Sequence, residues 1–281
     1  MRSNRIGLLF VAPFLLPFLI FVVYPLLRSV WFSLHKWDLL GTEKAFVGVG
    51  NYRLLAADPF FWSALRNTLL FTFMAVPALV ITGLALALVL ERPLRLYAGL
   101  RAVFFASSVF SVSVVTLIWQ VVLDPRRGLL AKAVEVDVLS NRWLAMPAIV
   151  VTTVWWGVGF PMVLFLAGLQ QIPRAVYEAA QLDHASRWAV LRRITLPALA
   201  RTTLLVVVME FIMQFQIFGQ VLLLTGGGPS SSTRVLVMYL YESAFRDWQL
   251  GYASAVANLL FIAMAVASFF QLRLGAPREA T

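Results

Sequence analysis

Residues 172–197, which read IPRAVYEAAQLDHASRWAVLRRITLP, decide how the rest of the chain is interpreted. They form a polar, helix-patterned interruption between two strongly apolar segments. At about 100° per residue, Ala179 and Ala180 lie on one side of the predicted helix, where their small side chains let another backbone come close. Glu178 and Asp183 place hydrogen-bond acceptors beside this small patch. A short amphipathic element of this kind is suited to insert into a groove on another molecule.

The composition places the chain among membrane proteins. Hydrophobic residues make up 61% of it and charged residues only 13%, a balance that soluble domains do not have. The formal charge of +10 does not indicate nucleic-acid binding, because a chain this apolar places its basic residues at the membrane edges. The absence of cysteine excludes disulfides and thiolate metal sites. None of the three lysines directly follows a glycine, so the chain has no Walker A sequence with which to bind ATP.

Six apolar stretches predict an all-α, polytopic membrane protein with a single transmembrane domain over residues 1–281. The first stretch is longer than the apolar region of a signal peptide, and no small-residue cleavage site follows it, so we expect it to be retained. A polar connection at residues 35–62 leads to the second stretch, in which we expect Asn67 to hydrogen-bond a neighbouring helix. The predicted spans are residues 6–33, 64–90, 102–123, 146–169, 198–224 and 253–272.

The polar stretch between the fourth and fifth spans resembles the EAA loop of ABC importer permeases. The family pattern is E-A-A, three residues, G, nine residues and then I-x-L-P, and this chain keeps that spacing from Glu178 to Pro197. His184 stands where the family has a glycine, which usually supplies the positive φ of a tight turn. Histidine adopts that conformation less readily. The alternative is a solvated interfacial helix in which E-A-A occurs by chance.

Residues 224–252 read LTGGGPSSSTRVLVMYLYESAFRDWQLGY. Taken alone, the glycine-rich part predicts only a flexible turn, and the pattern does not favour a phosphate cradle, because no lysine or binding helix follows in the right place. With Ser232, Thr233 and Tyr252, the stretch resembles the loop between the fifth and sixth spans of carbohydrate importer permeases. On that resemblance, residues 225–252 are an external loop. Its candidate contacts with a solute-binding protein are Gly226, Gly227, Gly228 and Pro229.

Glu210 is the most informative charge inside a predicted span. A carboxylate near the middle of a bilayer costs about 2.5–3.5 kcal/mol on insertion scales, so it should face a wet interior or a partner. Gln214 lies on the same helix face, and Gln216 and Gln220 form a second polar pair. These residues are typical of a helix that lines a cavity. The alternative for Glu210 is interhelical hydrogen bonding to a partner subunit.

Aromatic residues complete the candidate solute pathway. The fourth span is interrupted around Gly157 and Pro161, and an interrupted, aromatic-rich span is able to face a sugar, whose apolar faces stack on indole rings. Helix packing around a proline kink is the alternative. The aromatic and amide candidates are Trp155 and Trp156 in the fourth span and Trp119 and Gln120 at the end of the third.

The resemblance covers nearly the whole chain and implies one permease subunit of a type I ABC importer for carbohydrates, similar to the first permease of maltose-type systems. It implies a homologous second permease, two ATPase subunits that bind ATP and Mg²⁺, and an external solute-binding protein. This chain would then have no catalytic residue, metal or cofactor, and would lie in a prokaryotic inner membrane with both termini in the cytoplasm. The residues implied in coupling to the ATPase are Tyr177, Glu178, Ala179, Ala180, Asp183, His184, Ala185, Leu196 and Pro197.

Two rival hypotheses stay open at this point. One is a stand-alone secondary transporter or channel with Glu210 as its proton or cation site, although the sequence shows no inverted repeat of the kind many such transporters have. The other is a membrane scaffold, which would tolerate Glu178→Lys. The sequence does not name the solute, because importers of disaccharides, oligosaccharides and glycerol phosphates share these motifs.

Overall fold

Helices account for nearly all the regular structure in residues 3–38, 41, 44–92, 94–126, 128 and 137–275, which the computed structural model describes. The predicted domain limits at residues 1 and 281 lie outside this part of the chain. The strands are β1 (His35–Trp37) and β2 (Lys44–Phe46). The α-helices are α1 (Ser3–Phe18), α2 (Tyr24–Ser33), α3 (Gly50–Ala57), α4 (Pro59–Leu90), α5 (Arg95–Ser107), α6 (Val112–Leu123), α7 (Ala145–Gly157), α8 (Gly159–Gln170), α9 (Arg174–Leu182), α10 (Arg187–Val190), α11 (Leu196–Ala198), α12 (Ala200–Phe215), α13 (Gly219–Leu224), α14 (Leu236–Tyr241) and α15 (Leu250–Gly275). Short π-helical turns are Leu19–Val23, Leu191–Thr195 and Glu242–Arg246.

Three helical stretches are long and apolar enough to cross a membrane unaided: Phe10–Ser33, Pro59–Leu90 and Leu250–Arg273. Three further stretches reach that length only as bent pairs. The angle is 99° between α5 and α6, 50° between α7 and α8, and 65° where the helix ending at Ala198 meets α12. If each bent pair counts as one crossing, the total is six, the number that the hydrophobic pattern predicts.

The third and fifth predicted spans are not single helices. In the third, the chain turns at residues 108–111, because Ser111 caps the new helix by accepting a hydrogen bond from the Val114 N–H at 3.4 Å. In the fifth, α12 ends at Phe215 and α13 begins at Gly219. The prediction that Gln216 and Gln220 form a pair on one helix is therefore wrong.

The described chain divides into two compact units. The first comprises Met1–Ser63 and Leu236–Ala263. Its hairpin pairs β1 with β2 in antiparallel register, with His35 opposite Phe46. The start of α15 packs so closely on this hairpin that a Cβ on Gly251 would lie 2.1 Å from the His35 carbonyl oxygen. Asn51 fixes the same strand by donating to that carbonyl at 2.9 Å.

The second unit comprises Ala64–Val235 and Met264–Thr281. Small residues bring its helices close together, as is common in membrane proteins. A Cβ on Gly159 would lie 2.4 Å from the Phe104 carbonyl oxygen, and one on Gly168 would lie 2.7 Å from the Thr202 Oγ1. The core of α4, α8 and α12 fixes both ends of the segment that contains α9. Its buried members are Ala87, Leu90, Met162, Phe165, Leu166, Leu169, Leu199 and Val206.

Candidate functional site

A cavity of about 350 Å³ lies in the second unit where three interruptions of helices meet. Ser108 and Val112 line it from the turn between α5 and α6, and Gly157 and Phe160 line it from the bend between α7 and α8. Residues 216–218, which form the break between α12 and α13, make a further wall together with Gly219 at the start of α13. Non-helical backbone at membrane depth is tolerated only where it is buried in protein or lines a cavity. Because all three helix breaks border the cavity, the cavity is part of the architecture of the fold.

Glu210 supplies the carboxylate of this cavity. Its side chain is only 2% exposed, and its Oε2 accepts a hydrogen bond from the Gln214 Nε2 at 3.0 Å. That contact follows from the i, i+4 spacing on α12. Within the described ranges, no lysine, arginine or histidine forms an ion pair with Glu210, and none lines the cavity.

Gln220 forms a second buried polar contact on the cavity wall. The Thr153 hydroxyl donates to the Gln220 Oε1 at 2.8 Å, and the Gln220 Nε2 donates to the Thr152 Oγ1 at 3.4 Å. All three side chains are buried. These contacts join α13 to α7 and hold the amide in a defined orientation.

Trp156 lines the cavity, and its indole N–H already donates a hydrogen bond within the protein. Its Nε1 donates to the Phe110 carbonyl at 3.1 Å, across the turn between α5 and α6. The Trp156 carbonyl in turn accepts from the hydroxyls of Ser107 at 3.1 Å and Ser108 at 3.2 Å. The ring is thus held between two helix breaks, with its apolar surface available to the cavity.

The structure brings together five of the eight residues predicted for the solute pathway. These are Glu210, Gln214, Gln216, Gln220 and Trp156. The other three do not line the cavity. Trp119 and Trp155 contact each other edge to face, with ring centroids 5.9 Å apart, and Gln120 donates to the Leu223 carbonyl at 2.8 Å. Successive residues of a helix point about 100° apart, so Trp155 and Trp156 cannot share a face.

Sequence reasoning missed Thr153, Phe160 and Ser108 as lining residues. The serines near position 108 are visible as a hydroxyl-rich run, but a serine inside a span usually bonds its own helix. Thr153 carries no signal in the sequence that separates it from Thr152 beside it. Both threonine hydroxyls also lie 2.8 Å from the Ile149 carbonyl in the preceding turn, so Thr153 shares its one hydroxyl hydrogen between that carbonyl and Gln220.

The loop between α8 and α12 forms the tight turn of the family pattern, although histidine stands in place of the glycine. His184 has a φ of 50°, and its N–H donates to the Gln181 carbonyl at 3.0 Å. The Ala185 N–H donates to the Ala180 carbonyl, also at 3.0 Å. This pair of hydrogen bonds is a Schellman motif with His184 at the left-handed position. Ser186 then begins α10 by accepting from the Ala189 N–H at 3.2 Å.

The two alanines of the small patch on α9, Ala179 and Ala180, differ in their exposure. Ala180 is buried within the unit, whereas Ala179, Glu178 and Asp183 are exposed. Tyr177 anchors the helix from behind through a 3.3 Å hydrogen bond to the Thr195 hydroxyl. The remaining predicted coupling residues lie at the surface of the loop: His184, Ala185, Leu196 and Pro197. Large exposed apolar side chains accompany them, with Leu182 82% and Trp188 67% exposed.

The glycine-rich loop is held by a set of hydrogen bonds. Gly226 and Gly227 take positive φ values of 57° and 84°, which glycine permits without strain. The Thr233 hydroxyl donates to the Gly228 carbonyl at 2.7 Å. Asn67, predicted to bond a neighbouring helix, instead donates to two carbonyls of this loop, at Ser231 (2.9 Å) and Arg234 (3.0 Å).

A separate polar cluster lies in the first unit, at Asp58 before α4. Its Oδ2 accepts from the hydroxyls of Tyr239 and Tyr252, and its Oδ1 accepts from the Phe60 N–H at 2.8 Å. Burial alone would raise the pKa of Asp58, but the hydrogen bonds from Tyr239, Phe60 and Tyr252 outweigh it and lower that pKa. Burial and then the bond to Asp58 raise the pKa of Tyr239. At neutral pH the cluster is an ionised carboxylate held by neutral phenols.

Comparisons with known proteins agree with this architecture. Residues 53–278 match the family described as binding-protein-dependent transport system inner membrane component. The chain is 36% identical to the probable ABC transporter permease protein YurN of Bacillus subtilis, over 97% of this chain and 96% of the relative. It is 33% identical to the multiple sugar-binding transport system permease protein MsmF of Streptococcus mutans, over 91% and 90%. A chain of the bacterial alginate ABC transporter, solved in complex with an alginate pentasaccharide-bound periplasmic protein, has the same fold, with a TM-score of 0.85 at 20% identity over 98% and 95% of the two chains.

Proposed function

The chain belongs to the binding-protein-dependent transport system inner membrane components, and on that premise we propose that it forms half of the translocation pathway of an ATP-driven sugar importer. It is the permease component of an ABC transporter, a component that is not itself catalytic. The sugar class is supported by relatives of at least 30% identity whose names refer to sugars, among them MsmF and the trehalose/maltose permease of Thermococcus litoralis.

The cavity at the meeting point of three helix interruptions is the observation that carries the pathway assignment. Solute sites of many membrane transporters are built from discontinuous helices near the middle of the bilayer. Here the breaks surround a space of about 350 Å³, within the size range of small-molecule sites. Its lining combines polar amides, one carboxylate and the face of Trp156, which is chemistry suited to a sugar.

The loop around α9 is the proposed contact with the ATPase subunit. The carboxylate of Glu178 and the apolar side chains of Leu182 and Trp188 are all exposed. Such a surface is suited to bind in a groove on another protein. The groove belongs to an ATPase subunit, which binds ATP and Mg²⁺, and the loop and both chain termini face the cytoplasm. A homologous second permease, a second ATPase subunit and an external solute-binding protein complete the importer. Closure of the ATPase pair shifts the permease between inward-open and outward-open states, because the loop makes different contacts in each.

Reconstitution in proteoliposomes tests this function. Vesicles that contain this chain alone should take up no sugar and should not respond to a pH gradient. Vesicles with all the subunits, supplied with binding protein and internal ATP, should accumulate radiolabelled maltose, trehalose or whichever sugar the binding protein retains. A matched preparation with hydrolysis-deficient ATPase subunits should lose this uptake. Uptake or proton flux through the lone chain would overturn the proposal and favour a secondary transporter.

A further inference from the structure

The described walls of the cavity contain one ionisable side chain, the carboxyl group of Glu210. Among the described residues that line the cavity, no other side chain is ionisable, and the remaining polar groups are hydroxyls, amides and the indole N–H of Trp156. The Glu210 side chain is only 2% exposed, and the structure gives it a single hydrogen-bond donor, Gln214. A carboxylate offers about four acceptor positions. About three of these positions therefore have no donor among the described residues.

We propose that Glu210 is a charge filter, so that this permease carries neutral or amine-bearing sugars and rejects sugars with a carboxylate or phosphate group at this point. The inference rests on the proposed function, because it assigns a solute class to the same pathway. Hydroxyl and ammonium groups donate hydrogen bonds to a carboxylate, and an ammonium group also neutralises it. A uronate or a sugar phosphate would instead bring a second negative charge into a cavity whose described walls hold no cation.

The low polarity of the surroundings strengthens the discrimination between neutral and negatively charged sugars. The cavity is bounded largely by apolar side chains such as Val112, Phe160 and Met213, which weaken the screening of charge by water. Gln214 directs one of its two amide N–H groups at the carboxylate, and as a neutral side chain it adds no positive charge to the cavity. Placing like charges together at a buried site costs several kcal/mol, which corresponds to a discrimination of about 100-fold or more.

The chain contains no cysteine, so one introduced thiol reports on the charge in the cavity without knowledge of the natural solute. Ser108→Cys places a thiol on the cavity lining. The Trp156 carbonyl keeps its bond from Ser107 after this change. The probes are methanethiosulfonates with a cationic aminoethyl, a neutral hydroxyethyl or an anionic sulfonatoethyl group. Reaction rates are measured by intact mass of this chain in the assembled, detergent-solubilised importer, and each is divided by the rate with free 2-mercaptoethanol.

With Glu210 intact, we expect the normalised rate of the cationic reagent to exceed that of the anionic one by about 10-fold or more. Glu210→Gln, which keeps the shape and removes the charge, should reduce that ratio to within about twofold of unity. Gln214→Glu should increase it instead. The matched control is Ser63→Cys, an exposed position that does not line the cavity, and its ratio should not respond to Glu210→Gln.

A ratio near unity in the Ser108→Cys protein, or a ratio unchanged by both Glu210→Gln and Gln214→Glu, would overturn the charge filter. These outcomes are separate from the test of the proposed function. ATP-dependent sugar uptake by the complete importer, together with no charge preference in the Ser108→Cys protein, would remove this inference alone. Transport by the lone chain would remove the function itself.

Discussion

The loop around α9 and the cavity beside Glu210 place their polar groups in opposite ways. The loop presents Glu178 and Asp183 at the surface, and its turn is made by hydrogen bonds between residues fewer than six positions apart. The cavity buries Glu210 and Gln220 and assembles its walls from segments that are spread over more than a hundred residues of the chain. A contiguous segment can carry a recognisable motif, whereas a site assembled from distant segments cannot. Each prediction below perturbs one region and leaves the other intact.

The largest effect is expected in the loop, from Glu178→Lys. The side chain is exposed and no described residue forms an ion pair with it, so charge reversal should not disturb this chain's fold. At an interface, reversal places like charges together, so uptake should fall by about 100-fold while ATP hydrolysis continues. Parallel assays of uptake and ATPase turnover in proteoliposomes measure this, with Glu178→Gln as the milder control. Normal uptake in the lysine variant would contradict a coupling role.

Gly159→Ala should cause the next largest effect, on the cavity side. Its new Cβ would lie 2.4 Å from the Phe104 carbonyl oxygen and 2.7 Å from the Phe105 Cα, both backbone atoms that cannot move aside alone. We expect a loss of stability of about 2 kcal/mol, because α5 and α8 must separate. Thermal denaturation of the purified complex measures it. Gly99→Ala is the control, since nothing lies within 4 Å of its Cβ and alanine favours a helix over glycine; equal melting temperatures would show that the contact does not matter.

Gln220→Leu tests the buried contact between α13 and α7. It removes hydrogen bonds to Thr152 and Thr153, while both threonines keep their bonds to the Ile149 carbonyl. The cost should therefore be about 1 kcal/mol, in the range of interhelical hydrogen bonds within membranes. Denaturation of the variant, in a double-mutant cycle with Thr153→Val, isolates the pair. A coupling energy of zero would show that the amide is not held by this contact.

The smallest effect is expected from His184→Gly in the loop. Glycine adopts a φ of 50° freely, whereas a residue with a Cβ pays a steric cost there. The variant should gain up to about 1 kcal/mol in stability with uptake unchanged. A melting curve and an uptake assay check it, with His184→Val as the destabilised counterpart. A less stable glycine variant would show that the imidazole itself contributes contacts.

The sequence predicts much of the loop because its information is local. The E-A-A spacing places α9, and glycine in the family pattern marks the position of the left-handed residue that His184 takes in this structure. What the motif does not reveal is that Ala180 is buried while Ala179 is exposed. That distinction depends on helices packed behind α9, which no local pattern describes.

The cavity is only partly predictable, because its lining comes from separate segments of the chain. Glu210 and Gln214 stand out because a charge in a span is costly and the helical period aligns them. The break at residues 108–111 is missed because serine is compatible both with a span and with a helix cap. The hairpin of β1 and β2, within the predicted polar connection, is missed because strands of three residues carry too little alternation to detect.

The contact between Gly168 and Thr202 has a mechanical consequence. Thr202 lies three residues beyond Leu199, where the chain bends by 65° after α11, and Glu210 lies eight residues further along the same helix. Because Gly168 has no side chain, Thr202 packs directly against the backbone of α8, and this point acts as a fulcrum. At 1.5 Å per residue the arm from Thr202 to Glu210 is about 12 Å long, so a tilt of about 5° would displace the carboxylate by about 1 Å. A slight rocking at one end of α12 is thereby enough to break or make a hydrogen bond at the other.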